Sequence, residues 1–193
     1  MEGITLPKWI RLILAGNASL FLLLLIIVES TLAADTVLGP SNAYLCFEES
    51  RWSKSIRGIS YCDRAIADDK SLSKRDLAAT YSNRGIIYSA NSIYDLAIRD
   101  HNKAIAIRPL LAQAIVNLGN VYFRMGEYEK AIANYDQALL VNGTAHTTTY
   151  LNRGLALLEM KNYEQAKASF KQAQALSPGS SRIVELLEQV QAL

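Results

Sequence analysis

The sequence is poor in the residues that carry most enzyme chemistry. Its 193 residues include two cysteines, two histidines and four prolines. Cys46 and Cys62 are not spaced as Cys-x-x-Cys, and only two histidines exist to complete a metal shell with them. Gly-x-Ser-x-Gly, His-Glu-x-x-His and a phosphate-cradling glycine loop are all missing. No nucleophile can be matched with a base and a group to orient it. The expectation is therefore a non-enzymatic chain with no cofactor and no metal. Charge of one sign is lacking too: 20 Lys and Arg stand against 18 Asp and Glu, a net of +2, with no basic run and no acidic tail. Phosphate binding needs a clustered basic face, so nucleic acid is not an expected partner. Few prolines beside abundant Ala, Leu and Ile favour helices over a sheet.

One long hydrophobic run is present, at the N-terminus. Lys8 and Arg11 precede a nearly unbroken apolar stretch from Leu12 to Val28, and Glu29, Ser30, Thr31, Leu32, Ala33 and Ala34 follow. A positive end, an apolar middle and small residues at the exit are the order of a secretory signal. Thr31-Leu32-Ala33 or Leu32-Ala33-Ala34 would suit the peptidase. A bilayer span needs roughly 20 apolar residues, which leaves an uncleaved anchor as the alternative. Residues 1–34 are thus a signal peptide or a membrane anchor, and the rest is expected outside the cytoplasm, periplasmic or secreted. A membrane is a partner only if the segment is retained.

The remainder repeats itself. Gly85, Gly119 and Gly154 are separated by 34 and 35 residues. The same gaps recur for Tyr94, Tyr128 and Tyr163; for Ala97, Ala131 and Ala166; for His101, Tyr135 and Phe170; and for Ala104, Ala138 and Ala173. Pro109, Gly143 and Pro178 close the units. Pro stops a helix for want of an N–H, and Gly can end one in a left-handed conformation. The one extra residue falls most simply in the polar loop Asn142-Gly143-Thr144-Ala145-His146, with Thr144, Thr147, Thr148 and Thr149 read as caps of the next helix.

With these columns, and with Asn117-Leu118-Gly119-Asn120-Val121-Tyr122 followed by Gly126-Glu127-Tyr128-Glu129-Lys130-Ala131-Ile132, the sequence resembles the tetratricopeptide repeat family, in a form like exported bacterial members. The resemblance covers about 100 residues. It implies an all-α superhelix of stacked antiparallel helix pairs, with repeats at 78–111, 112–146 and 147–180. In each pair the small glycine lets the ring of the second helix approach. Residues 181–193 read as a capping helix, with Ile183, Leu186, Leu187 and Val190 as its apolar stripe.

Residues 39–77 read as a degenerate repeat and a linker. Cys62-Asp63-Arg64-Ala65-Ile66 matches Tyr135-Asp136-Gln137-Ala138-Leu139, and the polar stretch Asp68 to Lys74 absorbs the additional length. Cys62 then falls in the ring column. Cys46, 16 residues earlier, falls in the glycine column. The column where helices come closest, in an exported protein, predicts a Cys46–Cys62 disulfide.

The resemblance further implies that the first helix of each unit lines a concave groove. Asn83, Asn117 and Asn152 recur two residues before each glycine, and an amide that both donates and accepts suits an extended peptide backbone. The helical face extrapolates to Ser82, Ile86 and Ser89; Val116, Asn120 and Phe123; and Leu151, Leu155 and Leu158. This apolar set marks a candidate interaction surface. Some family members clamp a terminal carboxylate with Lys and Arg here, but Ser82, Ile86 and Thr148 stand where that charge is wanted. Arg124 is the better groove cation. Arg84 and Arg153 are expected at packing edges, their stems covering apolar surface. The expected site is Asn83, Ile86, Asn117, Asn120, Phe123, Arg124, Asn152 and Leu155. The expected function is a scaffold binding a peptide segment of an envelope or secretory partner, or a membrane-tethered assembly factor using the same face.

Overall fold

The computed structural model describes residues 40–141 and 146–192. The apolar run from Leu12 to Val28, its cleavage site and the loop around Gly143 lie outside these residues. Among the described residues all regular structure is helical. The α-helices are α1 (Asn42–Glu48), α2 (Ile59–Ala67), α3 (Lys74–Ala90), α4 (Tyr94–Ile107), α5 (Ala112–Arg124), α6 (Tyr128–Leu140), α7 (His146–Glu159), α8 (Tyr163–Leu176) and α9 (Ser181–Gln191). Helices α3 and α4, α5 and α6, and α7 and α8 form tight pairs, and each pair packs on the next. The result is an α-solenoid of helix-turn-helix repeats. No helix of the described residues is long and apolar enough to cross a membrane.

The small-against-ring pattern of the sequence is the contact that closes each pair. A Cβ placed on Gly119 would lie 2.6 Å from Cε1 of Tyr135, and one on Gly85 would lie 2.8 Å from Cε1 of His101. One on Gly154 would overlap Phe170. His101, Tyr135 and Phe170 are fully buried, as are the adjoining Ala97, Ala131 and Ala166. In the first pair Cys46 and Cys62 occupy the same two columns. Their Cα atoms are 4.8 Å apart and their sulfurs at bonding distance, both buried against Ile87.

Each tight pair turns over a residue in the left-handed region, seven positions after the glycine: Ser92 (φ 61°), Gly126 (φ 79°) and Lys161 (φ 59°). The first pair reaches the same corner one residue late, at Lys54 (φ 50°). A π-helical turn, Glu49–Ser53, takes up the extra residue. Such a turn is how a helix absorbs a one-residue insertion. The Lys54 N–H donates to Glu49 O at 2.6 Å, and the Asn91 side-chain amide donates to Lys54 O at 2.9 Å.

Two local expectations are corrected. Helix α3 starts at Lys74 rather than at 78, because Ser73 caps it: Ser73 Oγ accepts from the Asp76 N–H at 3.1 Å. The end of the supposed linker is therefore helix, and a short 3₁₀ turn, Asp69–Ser71, carries its middle. Thr147, Thr148 and Thr149 lie inside the first turn of α7, and Thr144, the remaining cap candidate, lies outside the described residues. At the C-terminus α9 lays Ile183, Leu187 and Val190 against Leu157 and Phe170, with Leu186 half-buried beside them.

Candidate functional site

The first helices of successive pairs (α1, α3, α5 and α7) share one wall, and the residues facing it recur by column. One position past the glycine column stand Phe47, Ile86, Asn120 and Leu155; two before it stand Asn83, Asn117 and Asn152. Three clefts follow one another along this wall. The first, of about 460 Å³, is lined by Phe47, Ser50, Arg51, Asn83, Ile86 and Asn117 among others. The second, of about 280 Å³, is lined by Ser50, Lys54, Ile86, Ser89, Asn117, Asn120 and Arg124, with His101 at its base. The third, of about 220 Å³, is lined by Asn120, Phe123, Arg124, Tyr135, Asn152 and Leu155. Neighbouring clefts share residues: Ile86 and Asn117 join the first to the second, and Asn120 and Arg124 join the second to the third. They are one feature repeated with the fold. The structure brings all eight sequence-derived residues to this groove.

The asparagine ladder is less free than its periodicity suggests. Asn117 is 8% exposed, donates to Ser82 Oγ at 3.3 Å and accepts from Gln113 Nε2 at 3.2 Å. Asn152 Nδ2 donates to Asn120 Oδ1 at 2.8 Å, and the same oxygen accepts from the Tyr135 hydroxyl at 2.9 Å. Burial pushes the Tyr135 phenol above its ordinary value, so it stays a donor. These amides tie adjacent first helices together. Asn83, half-buried, makes no side-chain hydrogen bond among the described residues. A second correction concerns the face. Ser82, Ser89 and Val116 are buried: Val116 packs with Ala131 and Tyr135, while Ser82 and Ser89 still line the first and second clefts. Val116 thus turns into the core, and the wall runs along the columns two before the glycine and one, four and five after.

Charge in the groove comes from positions the repeat pattern barely marks. Arg51, Lys54 and Arg124 are exposed at its edge and form no salt bridge among the described residues, and no carboxylate lines the three clefts. Arg51 lies 4.9 Å from the Trp52 ring and 5.9 Å from the Phe47 ring. Sequence reasoning missed Arg51 and Lys54 because the degenerate first repeat gave no column to read them from.

Arg84 and Arg153 sit at helix packing edges, Arg84 over the Tyr81 and Tyr88 rings at 5.5 and 5.8 Å, and both also bond across those edges. Arg84 Nε donates to Asp100 Oδ2 at 2.6 Å, its second nitrogen to Asp100 Oδ1 at 2.8 Å and its third to Asp63 Oδ1 at 2.6 Å. Arg153 likewise spans Asp136, at 2.6 Å, and Ser169 Oγ, at 2.7 Å. Each clamps the second helix of the preceding pair to its own. His101 is wholly enclosed; its Nδ1 lies 3.5 Å from Ser82 Oγ and its Nε2 has no partner. Desolvation holds its pKa down, at about 4, so the ring is neutral. The groove therefore offers amides, hydroxyls, apolar seats and cations. This set can hold an extended chain, and it does not pair a nucleophile with a base.

A tetratricopeptide repeat family model matches residues 110–178. That stretch carries tetratricopeptide repeats. Among curated relatives the chain is similar to the SGT1 homolog of rice (Oryza sativa subsp. japonica), 25% identical over 96 residues, which cover 50% of this chain and 26% of that one. It thus spans about a quarter of that relative's length. Among solved structures, Pseudomonas aeruginosa PilF aligns with a TM-score of 0.69 at 19% identity, over 77% of this chain and 65% of that one. The second tetratricopeptide repeat domain of human RPAP3, solved in complex with the HSP70 peptide SGPTIEEVD, aligns with a TM-score of 0.57 at 24% identity, over 62% of this chain and 98% of that one. These likenesses establish the tetratricopeptide fold.

Proposed function

We propose that this chain is an exported, non-enzymatic tetratricopeptide repeat scaffold whose groove binds an extended peptide segment of an envelope or secretory partner. The observation that carries the reading is the run of three adjoining clefts along the first helices, from Phe47 to Leu155. A ligand that repeats along its length, as a peptide does, meets the same wall several times and gains from each meeting. The human neighbour solved with a peptide supports the class of ligand. Export rests on the order of Lys8 and Arg11, the apolar run and the small residues before Asp35, and on a buried cysteine pair suited to an oxidising compartment.

The test is capture from an envelope extract by the wild type and by an Ile86→Asp/Leu155→Asp variant. Both side chains line the groove and are half-buried, Leu155 also packing against the core of the third pair, so the variant's helicity is measured beside its capture. The wild type is expected to retain a partner that the variant loses. Equal capture by both would remove the groove from the function. The intact mass of the chain isolated from the producing cells reads the N-terminus: a start near Ala34 or Asp35 fits export with cleavage, and an intact Met1 assigns the tethered form.

A further inference from the structure

We infer that the middle of the groove is a subsite for an acidic side chain of the bound peptide, an Asp or Glu within its sequence rather than its terminal carboxylate. The inference rests on the peptide-binding reading and adds to it the chemistry of one position.

The second cleft is where the groove gathers charge. Lys54 and Arg124 line it, from the corner after the π-helical turn and from the end of α5, with Ser50, Ser89, Asn117 and Asn120 between them. Asn120 Nδ2 donates to no group among the described residues, and flanked by two cations it is the complement of a carboxylate. Among the described residues no salt bridge engages these cations. The salt bridges among the described residues use Arg84, Lys130 and Arg153, and no carboxylate lines this cleft or its neighbours. A concave wall of one sign concentrates the field and draws the opposite charge into it.

The backbone at Lys54 supports the same assignment. In the three regular pairs the left-handed corner falls at Ser92, Gly126 and Lys161, none of which lines the three clefts. Only in the first pair does the extra residue of Glu49–Ser53 delay the corner and set a lysine on the groove. A lysine at φ 50° is held against its own preference, here by the Glu49 carbonyl and the Asn91 amide. One-residue π-helical insertions of this kind recur at functional sites.

Geometry sets the position of the acidic residue. The cleft is flanked on both sides by others, so a chain that fills the groove passes through it and does not end there. The expected ligand carries an acidic residue between apolar residues, one directed to Phe47 and Ile86 in the first cleft and one to Phe123 and Leu155 in the third.

A random dodecapeptide library fused at its C-terminus to a phage coat protein is a direct probe, because no displayed peptide carries a free terminal carboxylate. Selection on the full-length chain should enrich peptides with Asp or Glu between apolar residues. Selection on Lys54→Gln/Arg124→Gln should lose the acidic bias, and Lys54→Arg/Arg124→Lys should keep it. For the leading peptide, made synthetically with an amidated end, replacing its acidic residue by the amide should weaken binding roughly tenfold. The same replacement should matter less than twofold against the Gln/Gln variant. Groove-dependent peptides with no acidic bias, lost on Ile86→Asp/Leu155→Asp, would overturn the subsite and leave the groove reading standing. Absence of any groove-dependent enrichment would overturn both.

Discussion

Arg84 grips Asp100 with two parallel hydrogen bonds, of 2.6 and 2.8 Å, and Asp100 is 1% exposed. An ion pair this enclosed is worth little against an apolar replacement of both partners, but half of it is costly to leave behind. Arg84→Ala strands a buried carboxylate and should destabilise by about 3–5 kcal/mol in urea unfolding. The middle repeat carries the alternative in the same columns, Leu118 and Asn134, so Arg84→Leu/Asp100→Asn should recover most of the loss. Arg153→Ala should cost about 1 kcal/mol, since its partner Asp136 is half-exposed and its second contact is a serine. Equal losses for Arg84→Ala and Arg153→Ala would show that burial of the pair does not set the cost.

The glycine columns give a second prediction. At Gly119 a methyl would lie 2.6 Å from the Tyr135 ring and 3.2 Å from the Ala131 carbonyl oxygen, and neither can withdraw without opening the pair. Gly119→Ala should cost about 1–3 kcal/mol despite the better helix propensity of alanine. Gly179, where a Cβ meets nothing within 4 Å, is the control, and its alanine variant should melt within a degree or two of the wild type.

His101 predicts a pH dependence. Its folded pKa of about 4 lies below the unfolded value of 6.5, because burial without a partner penalises the charged ring. The folded state therefore binds fewer protons between these values. The contribution of the neutral ring is whole above pH 6.5 and is lost as pH falls toward 4, amounting to about 3 kcal/mol. His101→Phe, which installs the residue of the third repeat, should flatten the urea midpoint between pH 7 and pH 4. A wild type and a variant with parallel profiles would assign the acid sensitivity to other groups.

The cysteine pair predicts a redox dependence of stability. Ellman titration of the exported protein should find no reactive thiol before reduction. Cys46→Ser/Cys62→Ser should lower stability by about 2–4 kcal/mol, with the loss confined to the first pair. Two titratable thiols in the native exported protein would contradict the bonded state.

What the sequence made legible follows from what the repeat constrains. The glycine and ring columns persist because each pair needs one small and one large residue at a fixed spacing, and that spacing also placed Cys46 opposite Cys62. The groove columns at Asn83, Ile86, Asn120 and Leu155 could be read for the same reason. The burial of Val116 could not, because one residue turns a helix by about 100° and periodicity alone does not choose between adjacent columns. The Arg84 clamp was invisible because Leu118 interrupts its column. Lys54 was hidden by a single inserted residue, whose effect on direction appears only once the π-helical turn is in place.

The most direct test of the account places a photo-crosslinking amino acid in the producing cell, at Ile86 or Leu155 on the groove and at Gln137 or Lys171 on the exposed second helices. The account predicts a discrete adduct with one partner from the groove positions, reduced by Phe123→Ala, and none from Gln137 or Lys171. An adduct from the second helices, with the groove positions silent, would contradict it.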